Sequence, residues 1–309
     1  MVRKKVSVIG AGKVGSTTAH LLALKGLADV VLVNRTAGTA QGVALDIFES
    51  LPIEKSEVSI IGTGDYSAIS GSDVIVVTSG AQRKEGMSRD DLLKMNAQII
   101  SEVSEQIKQH APNSIVIVVS NPLDAMAYLL KHKTGFDKHR VIGMAGALDT
   151  SRLVSFIAAE LKVSPKEVST MILGSHGDSM VPIISATMVN GFPVSKLIAP
   201  DRLQAMVERA RNAGAEIIKL EQSSAYYAPA SSAVSMVEAI LTNSNKVIPC
   251  SAYVEGEYGL NGLFIGVPVI LGRNGAAEIV HMTLSEAEKS ALADSASKIS
   301  DLISSLSGI

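Results

Sequence analysis

Short runs of β-branched residues alternate with longer stretches of helically spaced apolar residues through the first half of the chain, the pattern of βαβ units around a parallel sheet. The runs at 6–9, 30–33, 58–61, 74–78, 115–119 and 141–144 predict strands. The stretches at 13–24, 42–48 and 89–110 predict the helices that cross between them. Beyond 143–146 the rhythm changes. Helices are predicted at about 148–161, 200–222 and 226–242, with a mixed stretch before the second, then hairpin-like strands and a last helix. The expected architecture is an α/β doubly wound (Rossmann) parallel sheet over residues 1–144, joined to a mixed α+β domain over 145–309.

Composition narrows the class. Hydrophobic residues make up 47% of the 309 positions and charged residues 19%, too apolar a balance for disorder. The mean hydropathy of +0.29 suggests a membrane protein, but Pro, Asn and Gly interrupt every apolar run short of the ~20 residues a span requires. The basic start Met1-Val2-Arg3-Lys4-Lys5 leads to Gly10 with no signal-peptide core between, so a cytoplasmic protein is expected. With 28 basic and 30 acidic residues the net charge of -2 offers no footprint for a nucleic acid. The single Cys250 excludes an internal disulfide and reads as a small buried hydrophobe, and no zinc-ligand spacing occurs, so no metal is expected.

Gly10-Ala11-Gly12-Lys13-Val14-Gly15 lies between the first strand and the first helix, the setting a dinucleotide fingerprint requires. Gly10 permits the tight turn, Gly12 lets the backbone approach a pyrophosphate, and Gly15 lets helix and strand pack closely. A P-loop is excluded because Ser16 stands where its lysine must be. At the end of the second strand, where an acidic residue usually holds the adenosine ribose, the chain reads Asn34-Arg35-Thr36. Without the carboxylate a 2′-phosphate is not repelled, Arg35 can pair with it, and Asn34 and Thr36 can donate hydrogen bonds. NADP(H) is therefore the expected cofactor, with NAD(H) also possible. A plain polar turn with little discrimination is the alternative. The same tripeptide spells a glycosylation acceptor, a reading without force in a cytoplasmic chain.

Four further motifs follow strands or lie on a helix: Gly80-Ala81-Gln82-Arg83-Lys84-Glu85-Gly86-Met87-Ser88-Arg89, Asn121-Pro122-Leu123-Asp124, Asp149 with Arg152 three positions on, and Gly174-Ser175-His176-Gly177-Asp178. The first has the composition of a mobile loop over a site. Singly, each admits a plainer account: an intrahelical ion pair, a solvated loop, a loop histidine with its hydrogen bonds met. In this order, with the glycine turn and Ser224-Ala225-Tyr226-Tyr227-Ala228-Pro229-Ala230, they resemble the lactate/malate dehydrogenase family over essentially the full length. Within it the resemblance is closest to the lactate-dehydrogenase-like malate dehydrogenases.

The resemblance implies a role for each matching residue. His176 matches the acid/base residue, suited to donate a proton to a developing alkoxide near neutral pH, and Asp149 matches its partner. Arg152 matches the arginine that clamps the substrate carboxylate through a planar fork. Arg89 matches the one that polarises the carbonyl, and Asn121 a residue near the carbonyl and the nicotinamide ribose. Arg83 stands where glutamine goes with pyruvate and arginine with the second carboxylate of oxaloacetate. The expected reaction is thus hydride transfer between NADP(H) or NAD(H) and malate/oxaloacetate, an oxidoreductase step of the tricarboxylic acid cycle. A lactate or other 2-hydroxy-acid dehydrogenase is the nearest alternative, and a noncatalytic NADP(H)-sensing module is one of another class. Glu85 and Ser175 depart from the family's proline and glycine, changes expected to touch loop kinetics or packing. The family is dimeric or tetrameric, and apolar-striped helices at 42–48 and 200–222 favour a homotetramer.

Overall fold

The computed structural model describes residues 3–81 and 88–306. Its first half runs β1 (Lys5–Ile9), α1 (Lys13–Leu24), β2 (Asp29–Val33), α2 (Ala37–Glu54), β3 (Ile60–Thr63), β4 (Val74–Val77), α3 (Arg89–His110), β5 (Ile115–Val118), α4 (Leu123–Thr134) and β6 (Val141–Gly143). The six strands are parallel, in the order β3-β2-β1-β4-β5-β6. This is a doubly wound sheet, and its central strands are buried on both faces, which explains their unbroken Val/Ile runs. Successive residues divide between two cores. Val74 and Val76 pack with α1 and α2 residues such as Leu22 and Ala44, whereas Ile75 and Val77 pack with α3 and α4 residues such as Ile100 and Met126.

The second half continues with α5 (Gly146–Leu161), β7 (Val168–Ser169), β8 (Ile172–Gly174), β9 (Met180–Pro182), β10 (Met188–Val189), β11 (Phe192–Pro193), α6 (Pro200–Glu221), α7 (Tyr227–Leu241), β12 (Lys246–Glu255), β13 (Asn261–Gly272), β14 (Gly275–Ile279) and α8 (Glu286–Ser304). Strands β12, β13, β8 and β9 extend the same sheet antiparallel beyond β6, with β14 beside β13. The two halves meet at Gly143 and Ser251, where a Cβ on Gly143 would stand 2.8 Å from that of Ser251. A third core, containing Leu153, Ile157, Val189 and Val207, lies among α5, α6 and the small sheet β11-β10-β7. No described helix is long and apolar enough to cross a membrane.

Several expectations need correction. The third strand is Ile60–Thr63 rather than 58–61, because the backbone of Ser59 already accepts from Val30 and ladder pairing begins at Ile60. The second helix is far longer than 42–48, spanning Ala37–Glu54 with Pro52 in its last turn. The apolar run at 168–173, expected as one stretch ending at the His176 motif, forms two strands in different sheets. Helix α4 was not anticipated from the chain's pattern: most of its residues are buried, so no polar face marks its period. Cys250 is fully buried on β12, and burial pushes its thiol well above the ordinary value.

Candidate active site

In an open α/β sheet a ligand crevice forms beyond the carboxyl ends of the strands where the strand order reverses. Here the reversal lies between β1 and β4, and a cleft of about 530 Å³ opens there, lined by Gly12, Thr78, Asn121, Arg152 and His176. A larger concavity, about 1000 Å³, lies at the amino ends of β1, β4, β5 and β6 beside Asp73, Arg140 and Arg273, and holds none of the motif residues.

The glycines of the turn act in different ways. Gly10 has φ +111, and a Cβ there would come within 2.8 Å of Thr78 Oγ1. A Cβ on Gly15 would overlap the Gly10 carbonyl oxygen at 1.8 Å. A Cβ on Gly12 would meet nothing within 4 Å and would project into open space. Gly12 also caps α1 without any side chain, so the first N–H groups of that helix are left for an anion. The turn therefore fits a dinucleotide pyrophosphate.

Asn34 is already engaged: its Oδ1 accepts from the Ala11 N–H at 3.4 Å and its Nδ2 donates to the Thr36 carbonyl at 3.2 Å. It braces the glycine turn against the end of β2. Arg35 and Thr36 are exposed.

Below the turn, Asp149 holds two side chains at once. Its Oδ2 accepts from His176 Nδ1 at 2.8 Å and its Oδ1 from Arg152 Nη1 at 3.1 Å. The carboxylate is buried, 2% exposed, while the His176 and Arg152 side chains keep 21% and 12% of their surface at the cleft. Because an ionised carboxylate only accepts, the His176 proton sits on Nδ1 and Nε2 is the atom left for exchange. Burial lowers the His176 pKa, the Asp149 charge and hydrogen bond raise it, Arg152 opposes them and Asp124 adds to them; the net direction is upward from 6.5. This couple can hold a proton at neutral pH and give it up to a bound oxyanion.

Two residues without an assigned role in the sequence reading organise these loops. Asp124, 3% exposed, accepts from Ser251 Oγ at 2.7 Å and Ser175 Oγ at 2.8 Å and from the His176 backbone N–H. Burial pushes its carboxyl above the ordinary carboxylate value, against the lowering effect of the two serines and His176. Asn96, 1% exposed on α3, accepts from the Ala81 N–H at 2.7 Å and donates to the Asn121 carbonyl at 2.7 Å. Their signals were a carboxylate and an amide placed where a helix turns inward, visible only once distant partners are known.

The remaining predicted residues separate. Asn121 is exposed at the cleft and precedes a cis peptide bond to Pro122. Arg83 lies in 82–87, outside the described residues, and of Arg89 only the backbone, the first residue of α3, is described. The histidines at 20, 110, 132, 139 and 281 do not line the cleft.

Comparison with known proteins agrees with this geometry. Residues 4–143 match the lactate/malate dehydrogenase NAD binding domain, and 146–306 match the lactate/malate dehydrogenase alpha/beta C-terminal domain. A malate dehydrogenase of Chloroherpeton thalassium is 50% identical over 299 residues, 96% of each chain. The crystal structure of Cryptosporidium parvum malate dehydrogenase superposes with TM-score 0.97 at 39% identity over 100% of both chains. The lactate dehydrogenase of the same organism, complexed with lactic acid and nicotinamide adenine dinucleotide, has TM-score 0.97 at 38% identity, covering 100% of this chain and 99% of that one. With both halves matched in order and the cleft at their junction, the chain belongs to the lactate/malate dehydrogenase family.

Proposed function

We propose that the protein is a malate dehydrogenase, interconverting malate and oxaloacetate with NADP(H) in preference to NAD(H). The observation that carries the reaction is Asp149 bridging His176 and Arg152 at 2.8 and 3.1 Å in the cleft beneath the glycine turn. Residues 1–144 form the nucleotide-binding domain, which also lends Arg83, Arg89 and Asn121 to the substrate, and 145–309 form the catalytic domain with His176, Asp149 and Arg152. A bound nicotinamide supplies or takes up the hydride. His176 Nε2 gives its proton to the carbonyl oxygen as the alkoxide develops and recovers it in the reverse direction. Asp149 keeps the imidazole in the required tautomer and stabilises the charged ring.

Arg152 offers its fork to a substrate carboxylate, since the single bond from Nη1 to Asp149 leaves its other donors for that pairing. Arg89 stabilises charge on the carbonyl oxygen, and Asn121 orients the carbonyl and the nicotinamide ribose. Arg83 pairs with the second carboxylate and so selects oxaloacetate over pyruvate. Gly10, Gly12 and Gly15 seat the pyrophosphate, while Arg35 and Thr36 face the 2′-phosphate. With Asn34 committed to Ala11 and Thr36, Arg35 carries most of the cofactor preference.

A homotetramer fits the surface: Leu45, Phe48 and Ile53 on α2 and Leu220 on α6 are 57%, 55%, 81% and 78% exposed, apolar area that a second copy would cover. The strong likeness to a lactate dehydrogenase structure favours one second reading, a lactate-type enzyme. A panel of 2-oxo acids offered with each reduced cofactor tests the proposal. Oxidation of the reduced cofactor with oxaloacetate, yielding malate, is expected; turnover of none of them would leave a noncatalytic nucleotide-sensing module.

A further inference from the structure

Lys13 opens α1, between the two glycines nearest the cleft, and its side chain lies at the cleft wall. Its ammonium donates to Ser223 Oγ at 2.8 Å and sits 5.0 Å from the centroid of the Tyr226 ring. Both partners belong to the 222–226 segment between α6 and α7, so one side chain reaches from the nucleotide turn across the cleft mouth.

Lys13 is exposed, so water screens it, yet the place does not favour a cation. The N-terminus of a helix carries partial positive charge, and an ammonium there is repelled unless an anion is close. The first turn of α1 has no acidic residue, and its cap, Gly12, has no side chain. Lys4, Lys25, Lys138 and Lys289 each pair with a carboxylate at 2.7 or 2.8 Å. Lys13 has no carboxylate within ion-pair distance among the described residues; a neutral hydroxyl and an aromatic face hold it instead. Lys13 therefore brings an ammonium without a carboxylate partner among the described residues to the cleft that Gly12 also lines.

We infer that Lys13 is a cofactor-binding residue whose ammonium exchanges its contacts with Ser223 and Tyr226 for the dinucleotide pyrophosphate. The inference rests on the reading of the cleft as a nicotinamide dinucleotide site. It adds a side chain to a site otherwise formed by backbone N–H groups, and it ties the occupancy of the nucleotide turn to the 222–226 segment.

Fluorescence titration tests it without turnover. The chain has no tryptophan, so binding is followed through the emission of the reduced nicotinamide itself. Lys13→Met keeps the apolar stem and removes the charge. It should weaken NADH and NADPH by the same factor, roughly three- to tenfold at low salt, and the gap should close as salt rises. In displacement titrations ADP should lose affinity to the same extent and adenosine should not, and Lys13→Arg should restore all three nucleotides. Unchanged affinity for both cofactors, a loss confined to NADPH, or an equal loss for adenosine would each overturn the assignment. Wild-type protein that binds neither NADH nor NADPH would instead overturn the reading of the cleft on which it rests.

Discussion

The hydroxyl of Ser175 donates to the buried carboxyl of Asp124 at 2.8 Å, tying the residue before His176 to the first turn of α4. Ser251 on β12 donates to the other oxygen of the same carboxyl at 2.7 Å. Three elements thus converge under the imidazole, and the serine that departs from the family glycine is one of the ties. Ser175→Ala should lower the stability to urea by ~1–3 kcal/mol, the range for a lost hydrogen bond to a buried or charged acceptor. Equilibrium unfolding measures it, and an unmoved midpoint would mean that the bond contributes nothing.

The Asp149 couple sets the pH dependence. The folded His176 pKa lies above 6.5, and reduction of oxaloacetate uses the protonated ring, so kcat/KM for reduction should be constant at low pH and fall as pH rises through that raised value. Malate oxidation needs the neutral ring and should rise over the same interval. Asp149→Asn removes the charge that opposes burial, so the inflection should move down while the rate drops by ~100-fold or more. His176→Asn should abolish the inflection and most of the turnover, yet bind NADPH nearly as the wild type does. An inflection that stays in place in Asp149→Asn would detach the carboxylate from the proton.

Arg83→Gln should transfer preference from oxaloacetate toward pyruvate. Under the proposed role it removes the charged partner of the second carboxylate, about two hydrogen bonds at ~1.5–3 kcal/mol each, hence ~100-fold or more in kcat/KM for oxaloacetate. Parallel rates on the two acids check it; an unchanged ratio would remove Arg83 from substrate selection.

Cofactor choice should hinge on the end of β2. On the proposed reading Arg35 meets a 2′-phosphate, and because it is exposed to water the contact would be screened, giving an expected preference for NADPH on the order of tenfold that shrinks with salt. Arg35→Ala should weaken NADPH and spare NADH. Asn34→Asp should reverse the preference, at some loss of stability because the amide bond to the Thr36 carbonyl goes with it. Affinities of both cofactors for the three proteins decide the matter.

What the chain's pattern reveals depends on whether a signal is local. Helix α1 and strand β5 are legible because the glycine turn and the Ile/Val run mark their own limits. The pairing of Asp149 with Arg152 is legible because they stand three positions apart on one helix. Helix α4 is not, since Leu123 to Thr134 is buried on nearly every side and lacks a polar stripe. Asp124 is equally silent: its partners stand 51 and 127 residues away. The tie from Asn96 to Asn121 spans 25 residues and two elements, so it too emerges only from the packed structure.

The central claim is that this cleft reduces a dicarboxylic 2-oxo acid. Its most direct test is the wild-type ratio of kcat/KM for oxaloacetate to that for pyruvate, measured with the cofactor it binds better. With Arg83 and Arg152 each matched to one carboxylate, oxaloacetate should lead by ~100-fold or more, the equivalent of about two charged hydrogen bonds. A ratio near one, or one favouring pyruvate, would contradict the account and make the protein a lactate-type dehydrogenase on the same scaffold.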